Sequence, residues 1–183
     1  MDFALQCVYP CWKVGESGTP EEFRRCGLIE LVELMFLGQY YHSIDAKGRL
    51  TVPVKYRDLL ASGAVVTKGF DPNLLVMPPE VFRHVADQVN EQNYADPNAR
   101  ILRRYLFSYG EPVEVDKAGR ILIPQFLRQL ANLNSEVVIV GVGDFFEVWS
   151  AENWSEHSAV LDDVESNMAR FIDFRLSTGR GNA

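Results

Sequence analysis

The chain has 183 residues, of which 47% are hydrophobic and 23% are charged, and its formal net charge is −7. This composition is typical of a soluble globular protein with one domain, or with two small domains that share a core. No apolar run approaches the roughly 18 residues of a membrane span, and the start lacks the basic and apolar regions of a secretory signal. The acidic balance argues against nonspecific coating of nucleic acid but allows a local basic patch.

The first 34 residues differ from the rest of the chain in composition and in hydrophobic pattern. They show no regular hydrophobic period, and they contain all three cysteines, Cys7, Cys11 and Cys26. Because a structural zinc site needs four ligands, no metal site is expected here. The sequence that begins at Met35 has the character of a protein start. We therefore predict residues 1–34 to be a non-native or disordered N-terminal extension; a native tail with incidental thiols is the alternative.

Residues 35–82 form the first predicted repeat. Pro53 heads a short helix, because proline is favoured in the first helical turn. Alternating apolar and polar residues on either side indicate strands. The predicted elements are a strand at Tyr40–Ile44, a strand at Arg49–Pro53, a helix at Val54–Leu60, and strands at Ala64–Thr67 and Asn73–Met77.

Helical spacing of apolar residues predicts helices at Pro79–Asn90 and Pro97–Ser108, so that residues 83–108 connect the two repeats. Residues 109–154 then repeat the first plan. A C-terminal helix is predicted from Ala151 to about Leu176, so that residues 155–183 comprise most of this helix and a disordered tail.

One ten-residue stretch occurs twice. Residues 44–53 have the sequence IDAKGRLTVP and residues 115–124 have VDKAGRILIP, so that Asp, Gly, Arg and Pro recur 71 positions apart. The likeness continues from residues 64–70 to residues 136–142, now 72 positions apart. Because a unit of about 40 residues buries too little core alone, the two copies should pair about a pseudo-twofold axis and close into a barrel. The predicted fold class is α+β and β-rich: two βαββ repeats with flanking helices.

Each copy of the motif predicts a tight turn. Asp45 at the first position can accept backbone N–H groups two residues on, and Gly48 can take the positive φ that leads into the next strand. Arg49 then places a guanidinium near the turn, where Asp45 can orient it. The second copy repeats these turn-orienting residues as Asp116 and Gly119, with Arg120 as its arginine.

Two interpretations of these turns remain open. Asp and Arg can form a local ion pair that only staples the turn, which contributes about 0–1 kcal/mol when exposed. Alternatively, the arginine and the neighbouring Lys47 or Lys117 can contact a phosphate or the edge of a guanine. Two further cations, Arg57 and Arg128, recur at the same point of the following helix and favour the second interpretation.

Other candidate sites are weaker. The three histidines, His42, His84 and His157, lie apart from other ligands, which is typical of surface or half-buried histidine. Arg100, Arg103 and Arg104 form a basic helical face, for which solvated pairing with acids is favoured over contact with DNA. No nucleophile elbow or phosphate-binding loop is present, so we expect no enzyme activity, no cofactor and no small-molecule substrate.

From Met35 to about Leu176 the chain resembles the MraZ family of bacterial transcriptional regulators, which belongs to the AbrB/SpoVT-type swapped-hairpin class. The duplicated Asp-x-x-x-Arg, each followed by an apolar-x-apolar-Pro strand, and the Met-Phe-x-Gly start carry the resemblance. In the second copy, Lys117-Ala118 replaces Ala46-Lys47, so equal roles for the two halves do not follow.

This resemblance implies a pseudo-twofold barrel of two AbrB/SpoVT-like repeats that assembles into a homo-oligomeric ring. It implies binding to double-stranded promoter DNA at short direct repeats upstream of the division and cell-wall gene cluster, including the protein's own promoter. The expected location is the cytoplasm, at the nucleoid, with no membrane partner. The alternative function is an antitoxin-like protein-interaction module of the same fold. The implied DNA-binding residues are Lys47, Arg49, Lys117 and Arg120.

Overall fold

The computed structural model describes residues 35–172 and residue 174. Phe36 begins one compact unit. Its strands are β1 Gln39–Ser43, β2 Arg49–Thr51, β3 Ala64–Lys68, β4 Asn73–Met77, β5 Glu111–Val113, β6 Arg120–Leu122, β7 Glu136–Gly141 and β8 Phe146–Ser150. Its helices are α1 Val54–Arg57, α2 Pro79–Glu91, α3 Pro97–Ser108, α4 Gln125–Leu130, α5 Ala151–Asp162 and α6 Val164–Phe171, and a 3-10 turn at Asp58–Leu60 follows α1. The predicted extension at residues 1–34 and the predicted tail after about Leu176 lie outside the described residues.

The strands of the two repeats are exchanged within one sheet. Six strands lie in the order β1-β7-β8-β4-β3-β5, with every neighbouring pair antiparallel. The equivalent strands are β1 and β5, β3 and β7, and β4 and β8. Exchanging the two repeats therefore gives the same strand order, read from the opposite edge of the sheet. The first strand of each repeat therefore pairs with a strand of the other repeat. The predicted α+β fold is confirmed; β1 and β5 end the ladder, and barrel closure stays a prediction.

A separate two-stranded ribbon marks the pseudo-twofold axis. In this ribbon β2 pairs with β6, and Leu50 lies opposite Ile121, its equivalent in the other repeat. The ribbon is extended symmetrically, because Val52 N–H donates to the Gly119 carbonyl at 2.9 Å and Ile123 N–H donates to the Gly48 carbonyl at 2.9 Å. The two copies of the motif are thus hydrogen-bonded directly to each other.

The core lies under this ribbon and is closed by aromatic rings. Leu50 and Ile121 are fully buried, as the alternation of apolar and polar residues predicts. The Phe36 ring meets the Tyr56 ring edge-on at 4.9 Å and the Phe146 ring at 5.4 Å. The Tyr56 hydroxyl donates to the Leu37 carbonyl at 3.0 Å, and burial raises the pKa of Tyr56. Phe146 of β8 therefore packs into this core, whereas Trp149 of β8 packs against Trp154 in a separate cluster.

The helices follow their predicted spans except at the C-terminal end. The sequence predicts one stretch from Ala151 to about Leu176, whereas α5 ends at Asp162 and α6 begins at Val164. Asp163 between them has a non-helical ψ of 88°, and its carboxylate accepts the Ser166 N–H at 3.1 Å. A capping aspartate starts a new helix here, which periodicity alone cannot reveal. None of the described helices is long and apolar enough to cross a membrane.

Candidate nucleic-acid interface

The first motif folds into a closed turn, Asp45–Arg49, which we call turn 1. Asp45 Oδ1 accepts the backbone N–H of Lys47 at 2.9 Å and of Arg49 at 3.0 Å. The Asp45 carbonyl accepts the Gly48 N–H at 2.8 Å, and Gly48 has a φ of +82°. In turn 1 the aspartate therefore satisfies the backbone donors, and glycine supplies the left-handed conformation.

The second motif forms the same structure, which we call turn 2, Asp116–Arg120. Asp116 Oδ1 accepts the backbone N–H of Ala118 at 2.8 Å and of Arg120 at 3.0 Å, and the Asp116 carbonyl accepts the Gly119 N–H at 2.8 Å. Gly119 has a φ of +75°. Lysine and alanine exchange places between the two copies, and the backbone hydrogen bonds of the turn are the same in both. Only the position of the lysine differs: it is the third residue of turn 1 and the second residue of turn 2.

Each turn holds its arginine through the aspartate. Asp45 Oδ2 accepts Arg49 Nε at 2.7 Å and Nη2 at 2.6 Å, and Asp116 Oδ2 accepts Arg120 Nε at 3.0 Å and Nη2 at 2.7 Å. The hydrogen bond from the Arg49 side chain is the main reason that the pKa of Asp45 falls to about 2, and Arg120 likewise lowers the pKa of Asp116. The same contact raises the pKa of Arg120. Both aspartates therefore stay ionised at neutral pH.

The arginines are held at the surface. Their side chains remain 31% and 29% exposed, for Arg49 and Arg120 respectively. Arg120 Nη1 lies 3.9 Å from Asp45 Oδ2, so the two turns lie within ion-pair distance of each other. The ion pair that the first interpretation requires is present, and it orients guanidinium groups that still contact solvent. The two interpretations are therefore compatible in this geometry.

Two arginines outside the predicted site also belong to this surface. Arg57 Nε donates to the Val52 carbonyl at 3.1 Å, and Arg128 Nε donates to the Ile123 carbonyl at 3.1 Å. Their guanidinium groups lie against the turns of the opposite repeat. Their recurrence 71 positions apart indicates from the sequence that the two arginines are equivalent. Their positions in α1 and α4 do not predict which of the two turns each arginine contacts. We call the following six cations the basic surface: Lys47, Arg49, Arg57, Lys117, Arg120 and Arg128.

The basic surface carries a local excess of positive charge on an acidic chain. The basic surface has six cations, and the two turns that belong to it contain two carboxylates, Asp45 and Asp116, which pair with Arg49 and Arg120. The whole chain, by contrast, has a formal net charge of −7. Both lysines are exposed, and both arginines of the turns are half-exposed. A concentrated positive region of this kind attracts a polyanion locally even when the net charge is negative.

The basic face of α3 has a different role from the one expected. The prediction that its arginines pair with acids is wrong, because no ion pair involves them among the described residues. Arg100 Nη1 donates to the carbonyls of Tyr94 and Ala95, and Arg103 Nη2 donates to those of Asn90 and Gln92. These two arginines satisfy carbonyl groups at the end of α2 and in the loop before α3.

The predicted histidines lie at half-buried or exposed positions. Burial, and secondarily the charge of Arg57, lowers the pKa of His42. Within the part of the chain that the structure describes, no three His, Cys, Asp or Glu side chains are grouped as metal ligands would be.

Comparison with known proteins identifies the duplicated architecture. A family model described as "MraZ protein, putative antitoxin-like" matches the chain twice, at residues 35–105 and 106–174. A protein of Herpetosiphon aurantiacus named "Transcriptional regulator MraZ" is 47% identical over 128 residues, which cover 70% of this chain and 87% of that protein. Proteins of the same name are 41% identical over 143 residues in Leuconostoc mesenteroides, covering 78% of this chain and 100% of that protein, and 42% identical over 137 residues in Roseiflexus castenholzii, covering 75% and 94%. Both the repeated family match and the extent of these identities show that the chain belongs to the MraZ family.

Proposed function

We propose that this protein is a sequence-specific DNA-binding transcriptional regulator and that the basic surface is its contact with promoter DNA. The observation that carries the proposal is the side-by-side placement of two equivalent turns, each with an arginine held by an aspartate. The names of the relatives, all transcriptional regulators, support the same conclusion. The protein acts as a binding protein and not as an enzyme, in the cytoplasm and at the nucleoid.

The geometry supports distinct roles for the two kinds of cation. Lys47 and Lys117 are exposed and carry a mobile point charge, which suits contact with phosphate. Arg49 and Arg120 are already oriented by Asp45 and Asp116 through Nε and Nη2. A guanidinium that is held before binding loses less conformational entropy on reaching a base edge or a phosphate.

Affinity requires several copies, because the two carboxylates offset part of the charge of each basic surface. We propose that the chain forms a ring by self-association. The helix α6 has an apolar stripe on one face that is 52–80% exposed and has no buried residue. An amphipathic helix normally buries such a stripe, and a second copy of this chain is the occupant that the proposal requires. The stripe consists of Val164, Met168, Phe171 and Ile172.

A ring suits a site made of direct repeats. Rotational symmetry presents the same surface several times in the same sense, whereas a twofold dimer suits a palindrome. Several weak contacts on one DNA molecule then add through effective concentration. We propose that the site is a set of short direct repeats upstream of the division and cell-wall gene cluster, including the protein's own promoter.

Binding to the DNA directly upstream of the gene tests the proposal. Arg49→Ala should abolish the specific footprint while the oligomer keeps its mass in light scattering. The matched control is Arg83→Ala, which removes an exposed arginine of α2 outside the basic surface and should leave the footprint unchanged. If the Arg49→Ala variant protects the promoter as well as the wild type does, the assignment of this surface fails.

Salt dependence gives an independent measure of the contact. Each phosphate neutralised contributes about −0.9 to the slope of log K against log salt concentration. Lys117→Ala should therefore make the slope shallower, whereas Arg83→Ala should not. A wild-type slope near zero would contradict a contact made through the basic surface.

Self-association is tested on the stripe of α6. Met168→Glu places a charge in the stripe and should reduce the mass of the assembly, whereas Ala169→Glu places the same charge on the neighbouring exposed position and should not. An unchanged mass for Met168→Glu would remove α6 from the interface.

The family description, with its words "antitoxin-like", favours one second candidate, a protein-interaction module. Under this alternative the stripe of α6 would bind a different protein and the basic surface would be incidental. The absence of any promoter footprint from the wild-type protein, together with a monomeric mass in solution, would favour the alternative.

A further inference from the structure

Arg57 and Arg128 cross from one repeat to the other. Arg57 belongs to the first repeat, yet its guanidinium lies against Gly119 in turn 2. Arg128 belongs to the second repeat, and its guanidinium lies against Gly48 in turn 1. Because both arginines do this at equivalent places, the crossing follows from the pseudo-twofold arrangement and is not an accident of one side chain.

The contact is so close that only glycine leaves room for it. A Cβ atom on Gly119 would lie 2.3 Å from Cζ of Arg57, and one on Gly48 would lie 2.9 Å from Cζ of Arg128. Each guanidinium therefore lies directly on the peptide backbone at the tip of the opposite turn. Glycine at these positions serves two needs at once, the positive φ and the space for the arginine.

Each crossing arginine is also anchored to the backbone that links the repeats. Arg57 Nε donates to the Val52 carbonyl at 3.1 Å, and the N–H of Val52 donates to the Gly119 carbonyl at 2.9 Å. Arg128 and Ile123 form the equivalent connection to Gly48. Arg57 is therefore connected to turn 2 in two ways. Its guanidinium lies against Gly119, and its Nε is hydrogen-bonded to Val52, which is itself hydrogen-bonded to Gly119.

We propose that Arg57 and Arg128 are positioning residues of the basic surface, each of which holds the turn of the opposite repeat in its binding conformation. The proposal rests on the proposed function, because the turns are taken to contact DNA. Its consequence is that each turn, although its own aspartate closes it locally, also needs the opposite repeat to hold it in the binding conformation. Arg120 and Lys117 depend on Arg57, and Arg49 and Lys47 depend on Arg128.

A charge-conserving substitution separates positioning from simple attraction of DNA. Arg57→Lys keeps the positive charge, but it removes the planar guanidinium and the Nε donor to Val52. If Arg57 acts only through its charge, this variant binds DNA like the wild type. If it positions turn 2, binding weakens by about three- to tenfold, the range that corresponds to one lost hydrogen bond.

The first test needs no DNA and uses hydrogen exchange of the intact protein. In Arg57→Lys, the amides of Ala118, Gly119 and Arg120 should exchange about two- to tenfold faster, while the amides of turn 1 keep their wild-type rates. Arg128→Lys should give the reverse pattern. Each variant thus contains its own control, because a general loss of stability would speed both turns together.

The second test is a double-mutant cycle with DNA binding as the measurement. The loss caused by Arg57→Lys should largely disappear when Lys117 is already replaced by Ala, because both substitutions act on turn 2. The same loss should persist in full when Lys47 of turn 1 is replaced by Ala. Arg57→Gln serves as a second variant if Arg57→Lys does not fold, and it should give the same exchange pattern.

The outcomes distinguish this inference from the proposed function. Faster exchange confined to the opposite turn supports the inference, even if Arg49→Ala leaves DNA binding intact and the proposed function fails. Unchanged exchange in both variants, or equally fast exchange in both turns, overturns the inference while the DNA contact itself can stand. Coupling of Arg57 to Lys47 instead of Lys117 also overturns it.

Discussion

Replacing the glycine of turn 2 with alanine tests the local physics on which the basic surface depends. Gly119 has a φ of +75°, in the left-handed region that side chains with a Cβ atom avoid. Alanine at this position should be strained by about 1–2 kcal/mol from backbone conformation alone. The new Cβ would also lie 2.3 Å from Cζ of Arg57, so the guanidinium has to leave the turn.

The expected loss is the sum of these two effects. The guanidinium sits at the end of a flexible side chain and can move without shifting the backbone, so its displacement adds about 0.5–1.5 kcal/mol, the worth of one hydrogen bond. We expect Gly119→Ala to lower the free energy of unfolding by about 1.5–3.5 kcal/mol. Gly48→Ala should cost less, about 1–2 kcal/mol, because the corresponding approach to Arg128 is 2.9 Å and demands a smaller displacement.

Urea unfolding at fixed protein concentration, followed by the fluorescence of the buried Trp149 and Trp154, measures these differences. Gly110→Ala is the matched control: Gly110 has no left-handed φ, and its new Cβ would meet the Phe82 ring at an ordinary 3.4 Å. This control should change stability by less than about 0.5 kcal/mol. If Gly119→Ala unfolds at the same urea concentration as Gly110→Ala, the assignment of strain and close approach at turn 2 is wrong.

Two further predictions concern the core and the acid side of the stability profile. Phe146→Ala should destabilise the protein by about 3–5 kcal/mol, because its fully buried ring packs on Phe36 and Tyr56; urea unfolding measures this, and a loss below that of a surface substitution would contradict the core assignment. The folded-state pKa of Asp45 lies at about 2, below its ordinary value of 3.8, so its stabilising contribution is present above pH 4 and is lost as the pH falls toward 2. The free energy of unfolding of Asp45→Asn should therefore decrease less across this pH window than that of the wild type, as measured by acid unfolding. Equal decreases would show that the pairing of Asp45 with Arg49 does not stabilise the fold.

Within the candidate site, the two turns are the part that the sequence predicts most completely. Asp45, Gly48 and Arg49 lie within five positions of one another, so their hydrogen bonds and the positive φ follow from local chemistry. The helices α2 and α3 were predicted for the same reason, because helical spacing is a local pattern. The break at Asp163 was not predicted, since an aspartate inside a helical pattern does not by itself distinguish a cap from a solvent-exposed helical residue.

The contribution of Arg57 and Arg128 could not be reached in this way. Their recurrence in the sequence showed that the two halves match, but not that each arginine would lie on the turn of the other half. That contact depends on the pairing of β2 with β6, which joins residues about 70 positions apart. A spacing that is repeated along the chain indicates which residues are equivalent, but it does not predict which of them are in contact.

The amino-acid sequence by itself determined the two turns, most helix spans and the existence of a duplicated unit, because each depends on residues within a few positions of one another. Only the tertiary structure decided that β1 pairs with β7 and β5 with β3, and that the two turns come together on one basic surface. The physical reason is that strand pairing satisfies backbone hydrogen bonds between distant residues, and any apolar strand of suitable length can supply such partners until the whole core is packed.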